Sequence, residues 1–152
     1  MPHNEPPAAP TLVALLICDQ VIDDRLTNKK SAIGLFNAVL VARFPATVQQ
    51  LVVLAAVTEI TGQAEVELRL IRDTDNHVLF TAKEVVVHSQ SPLATVDLVF
   101  ALRGVVIPTP GAYAMELLSH GELLGRRRFQ VFQRVAADAA GASEGRPSPH
   151  DT

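Results

Sequence analysis

The sequence predicts an all-β protein. It expects about eight strands in two antiparallel sheets packed as a sandwich, immunoglobulin-like or similar, with a closed barrel as the alternative. Three observations carry this. Apolar residues recur at every second position in several stretches, as in Val66, Leu68 and Leu70 or Val96, Leu98, Phe100 and Leu102, the period of a strand with one buried face. Turn residues separate these stretches at sandwich-like spacing. No amphipathic helical pattern of ten or more residues stands between them.

Taken in order, residues 1–10 hold four prolines and read as a flexible or extended lead-in to a domain spanning 11–133. Leu12–Ile22 is the first strand, and the polar run Asp23–Lys30 turns the chain. Ser31–Val41 is the second, with Ile33, Leu35, Val39 and Val41 on one face; Asn37 interrupts it, and Gly34 marks a bulge or a close backbone approach. Phe44-Pro45 breaks the pattern. Leu51–Ile60 is apolar on both faces, as expected for a central strand covered on both sides, although so short a run also suits a buried helix.

After Thr61-Gly62-Gln63 the strand Ala64–Arg72 alternates, with Glu65, Glu67 and Arg69 outward. Asp73–Asn76 is a hairpin loop. His77–His88 returns with Val78, Phe80 and Ala82 on one face, and the changed parity of Val85 and Val87 places a bulge or bend near Lys83-Glu84. Leu93–Arg103 alternates again. The last hairpin is the clearest: Tyr113, Met115 and Leu117 lead to His120-Gly121, residues suited to the two positive φ angles of a type I′ turn. Counting back from that turn puts Phe129 out of phase with Tyr113. One extra residue near Gly125-Arg126 restores the pairing, so a bulge is expected there. Residues 134–152 are Ala-, Gly-, Ser- and Pro-rich and read as a disordered tail.

Several of these segments together resemble a family of small uncharacterised bacterial proteins, a domain of unknown function. They are Cys18-Asp19 with Val21-Ile22, Thr27-Asn28-Lys29-Lys30-Ser31, Ile33-Gly34-Leu35-Phe36-Asn37, Phe44-Pro45, Pro110-Gly111-Ala112-Tyr113, Glu116-Leu117 and Gly121-Glu122-Leu123-Leu124-Gly125. The resemblance spans about Leu12–Phe132. It implies a sandwich and a bacterial cytoplasmic protein, and it implies no activity, ligand or catalytic residue.

The totals narrow the functions. The 152 residues carry a net charge of −3, too mild to argue for nucleic acid or an anionic membrane. No run approaches the ~20 apolar residues of a spanning helix. The start lacks Lys and Arg, so no secretory signal is expected, and a cytoplasmic location follows. The five histidines, His3, His77, His88, His120 and His150, show no zinc spacing, and no metal or cofactor is expected. Asp73, Asp75 and Asn76, like Asp19, Asp23 and Asp24, are acidic loop residues that could bind calcium but suit turns better. Cys18 follows an apolar run beside Asp19, the setting of a buried hydrophobe rather than a nucleophile. No GxSxG elbow and no phosphate-binding glycine loop occurs.

Two readings remain. The first is a non-enzymatic module that binds a protein partner or forms a homodimer, with Arg126, Arg127 and Arg128 as its interaction patch; the bland reading of those arginines is a charged strand edge that discourages pairing. The second is a small-ligand binder or hydrolase with a site in a sandwich-end cleft, drawing on Asp19, Asp23, Asn37 and Asp97. Asn37 is the least ordinary of these, because it interrupts an apolar face.

Overall fold

In a computed structural model the described residues, 8–82 and 85–135, form ten strands. They are β1 (Thr11–Asp24), β2 (Lys29–Leu35), β3 (Ala38–Val41), β4 (Ala46–Thr58), β5 (Gly62–Arg72), β6 (Val78–Thr81), β7 (Val85–Ser89), β8 (Val96–Ile107), β9 (Gly111–Ser119) and β10 (Glu122–Gln133). A four-stranded sheet runs β2-β1-β4-β8. A six-stranded sheet runs β3-β10-β9-β5-β6, with β7 also paired to β5. The sheets do not close into a barrel. The core lies between them, built from Leu15, Ile17, Leu51 and Val53 on one side and Leu68, Leu70, Tyr113, Met115 and Phe129 on the other. The expected bend at Lys83-Glu84, most of the lead-in and nearly all of the expected tail lie outside the described residues.

Ten strands replace the expected eight because two segments each divide. The first division is a change of sheet. β2 pairs with β1, and after Leu35 the chain crosses to the other sheet, where β3 lies parallel to β10. The crossover is pinned on both sides: the Phe36 N–H donates to the Ile17 carbonyl at 3.2 Å, and the Gln130 N–H donates to the Asn37 carbonyl at 2.8 Å. The expected single face of Ile33, Leu35, Val39 and Val41 is therefore wrong. Ile33 and Leu35 lie exposed on the outside of the four-stranded sheet, whereas Val39 and Val41 pack against the core. The second division separates β6 from β7, which share one edge of β5. There, too, the expected face breaks up: Leu79 and Ala82 pack against the core, while Val78 and Phe80 stay exposed. The β5–β6 register shift between Leu70 and Ile71 disturbs the two-residue period there.

Gly34 does mark a close approach. Its φ is +72°, and a Cβ at this position would lie 2.2 Å from Asp19 Oδ2. The last hairpin forms as expected, with φ of 48° at His120 and 78° at Gly121 and with Phe129 opposite Tyr113, ring centroids 6.0 Å apart. The register shift falls between Leu123 and Gly125, so the extra residue is Leu124, one position earlier than expected. Gly125 serves packing instead. A Cβ there would sit 2.3 Å from Leu12 Cδ2, so the missing side chain lets β1 pack across β10.

β4 departs from expectation in a way that matters for function. Leu51, Val53, Ala55 and Val57 face the core. Val52, Leu54 and Ala56 alternate with them and point outward, and among the described residues no layer of the chain lies over them.

Candidate functional site

The three arginines sit on β10, next to β9. Arg126 and Arg128 share the outer face of the six-stranded sheet, and Arg127 points the other way. All three bond to side chains of the chain itself. Arg126 reaches Glu116 Oε1 at 2.6 Å and Asp73 Oδ1 at 3.3 Å, and Arg128 reaches Asp73 Oδ2 at 3.1 Å. Arg127 Nη2 donates to Asn37 Oδ1 at 3.0 Å. A neighbouring pair, Arg69 with Glu67 at 3.1 Å, extends the ionic layer, and Glu67 raises the pKa of Arg69. Next to these groups on the outer face, Ile71, Ala114 and Leu118 are buried.

The four polar groups of the ligand reading do not converge. Asp19 lies beside Gly34 at the mouth of a cleft of about 320 Å³, lined mainly by Leu35, Phe36, Val39, Leu40 and Val48. Asp23 pairs with Lys30 at 3.7 Å near the β1–β2 turn. Asn37 holds Arg127, and Asp97 lies exposed on β8, on the outside of the four-stranded sheet. No group of three His, Cys, Asp or Glu side chains that could hold a metal ion occurs among the described residues. Cys18 is fully buried, and its Sγ–H donates to the Val52 carbonyl at 3.6 Å. Burial first, and then the charge of Asp19, raise its thiol pKa, so it stays a protonated thiol and a poor nucleophile.

The Asp73–Asn76 loop carries a local acid-sensitive contact. The Asp75 carboxylate accepts the His77 N–H at 3.2 Å and faces Arg72 at 3.2 Å. The backbone bond first, and the Arg72 charge after desolvation, hold its pKa below the ordinary carboxylate value. A depressed folded-state pKa stabilises above the unfolded value of about 3.9 and stops doing so as pH falls through the folded one. Wild type should therefore exceed Asp75→Asn in urea midpoint at pH 6, and the two should converge as pH falls through the depressed folded-state pKa. A difference that stays constant with pH would contradict this.

The feature that strand-by-strand periodicity misses is the outer face of the four-stranded sheet. The register aligns its side chains in rows across the strands. Ala14, Ala56 and Asp97 form one row, and Leu16, Leu54 and Val99 the next. Leu35, Cys18, Val52 and Ala101 follow. Beyond them come Ile33 with Gln20, and Gln50 with Arg103. Its middle rows are entirely apolar. Cys18 and Val52 are covered by their neighbours, while Ile33, Leu35 and Val99 remain 41%, 57% and 42% exposed. The signal for this face was present in Leu51–Ile60, whose apolar residues occupy both parities.

A family model described as a family of unknown function, DUF6941, matches residues 13–132, and the chain belongs to that family. A comparison with curated proteins finds no match.

Proposed function

We propose that this member of the DUF6941 family is a non-enzymatic protein-interaction module, and that it docks through the outer face of its four-stranded sheet. One observation carries the reading: two adjacent rows of apolar side chains cross the sheet, Leu35 and Val99 among them stay exposed, and among the described residues no further layer of the chain lies over the rows. Contiguous exposed apolar surface with a polar border is uncommon on a monomer and marks sites of association. Gln20, Gln50, Asp97 and Arg103 supply the border here. The arginine patch fits this role less well, because each guanidinium already bonds within the chain. The ligand reading has less support, since the cleft beside Asp19 brings in none of Asp23, Asn37 or Asp97.

The test is site-specific photocrosslinking in living cells. A benzophenone amino acid is placed at Leu35 or Val99 on the face, and at Leu26 on the β1–β2 turn, 95% exposed, as control. Leu35 and Val99 should each give a discrete crosslinked protein and Leu26 none. Absence of any crosslink from both face positions would overturn the proposal.

A further inference from the structure

We infer that the occupant of this face is a second copy of the chain, packed face to face with the strands of the two copies antiparallel. This rests on the interaction-module reading and makes it specific. A two-fold axis lying between the two sheets, perpendicular to the strands at the level of Ile17, Val53 and Phe100, sets each strand over its own counterpart. Ile17 pairs with Val53 and Val53 with Phe100, so these three residues already form one row of the sheet. Sheets stack face to face about 10 Å apart, with side chains of both faces interdigitating.

Three features of the face are self-complementary under that operation. The first is size. The axis places the row of Leu16, Leu54 and Val99 over the partner's row of Cys18, Val52 and Ala101, because each pair is equidistant from the axis along its strand. On β1, β4 and β8 the larger side chain meets the smaller one, which is the alternation interdigitation needs.

The second is charge. Asp97 and Arg103 lie on the same strand and the same face, three residues to either side of Phe100. Rotation brings Asp97 of each copy over Arg103 of the other, giving two opposite-charge contacts at the β8 margin. Neither residue has an ion-pair partner among the described residues. The crossing of about 30° usual for aligned sheets displaces the ends of the rows by an amount a long arginine side chain can span. The third is the border: Gln20 and Gln50 lie over the small residues Ala14 and Ala56, which leaves their amides room to bond at the rim.

The alternative two-fold, parallel to the strands, lacks this match. It sets β8 over the partner's β2, leaves Asp97 without a basic residue opposite it, and places Arg103 over Ile33. An isologous contact uses the same patch twice, so one register must satisfy both charges at once. Of the two, the antiparallel one does.

The experiment is sedimentation of the full chain over a concentration series, for wild type, Asp97→Arg, Arg103→Asp and the double exchange. Wild type should be a dimer. Each single exchange places like charges together twice and should raise the dimer Kd about tenfold or more. The double exchange should restore the wild-type value. Both positions exchanged are exposed, and unfolding curves will confirm that each variant folds. Val99→Glu, also at an exposed position and set over the partner's Ala101, should abolish the dimer. A monomeric wild type overturns the inference, as does a dimer indifferent to the single exchanges. A monomeric wild type with a crosslink from Leu35 to a protein of another mass would overturn the second copy and leave the interaction module standing. No crosslink at all would remove both.

Discussion

Leu117→Ala should destabilise the protein by about 3 kcal/mol, within the 2–5 kcal/mol measured for such truncations in packed cores. Leu117 is completely buried on β9, a central strand of the six-stranded sheet, with Leu68 of β5 on one side and Gly125 of β10 on the other. Gly125 has no side chain with which to fill the void. Leu12, which crosses Gly125, is fixed by its place in β1 and cannot readily move in. The informative comparison is Leu54→Ala. It deletes the same atoms from a central strand of the other sheet, but from the outer face, where no core packing is lost. That variant should lose less, about 1–2 kcal/mol, because Leu54 is only partly buried and its truncation leaves no closed cavity. Urea unfolding at equal protein concentration, low enough for monomer, measures both. Equal losses would mean that the outer face is buried as deeply as the core. A small loss for Leu54→Ala together with weakened association would place the role of that leucine in binding.

The contrast between those leucines also shows what the sequence could express. The two-residue period identified the core faces of β5, β8 and β9, because in each strand one parity is apolar throughout: Val66, Leu68 and Leu70, then Leu98, Phe100 and Leu102, then Tyr113, Met115 and Leu117. The final hairpin was legible to its pairing, since His120-Gly121 fixed the turn and the Tyr113–Phe129 phase demanded one extra residue. The position of that residue was not legible. Gly125 suggested a bulge, but its reason is the approach of Leu12, more than a hundred residues earlier in the chain. The sheet change at Asn37 was hidden for a similar reason. β3 pairs with β10 across some ninety residues, and local residue types carry no signal of so distant a partner. The contact of Asn37 with Arg127 is likewise non-local. Of the site, the apolar run of β4 was plain, but composition states only that both faces avoid water. Whether the chain itself or another molecule does the covering is decided by topology. Asp97 was picked out as a polar group for a ligand; its position on the same face as Arg103 required the β4–β8 register.

Arg126→Met should cost about 2–3 kcal/mol, unusual for a residue in a run of arginines on a strand. The argument rests on Glu116. Its side chain is only 11% exposed, and Arg126, 26% exposed, is its ion-pair partner at 2.6 Å. Removing one member of a buried pair costs about 3–5 kcal/mol because a desolvated charge is left behind, and the partial exposure here lowers that figure. Arg128 differs. It is 67% exposed and shares Asp73 with Arg126, so Arg128→Met should cost less than about 1 kcal/mol, as for surface pairs. Arg127→Met removes one bond to the exposed Asn37 and should fall within about 0.5 kcal/mol of wild type. Combining Arg126→Met with Glu116→Leu removes both charges at once and should recover most of the loss. Urea unfolding of the four variants gives the ranking. If Arg126→Met were no worse than Arg127→Met, the Glu116 contact would carry no weight in the folded state, and the arginines would return as a free basic patch. The expected order instead assigns Arg126 to holding the outer face of the six-stranded sheet together. The four-stranded sheet differs: among the described residues its outer face has apolar side chains and no ionic layer over them.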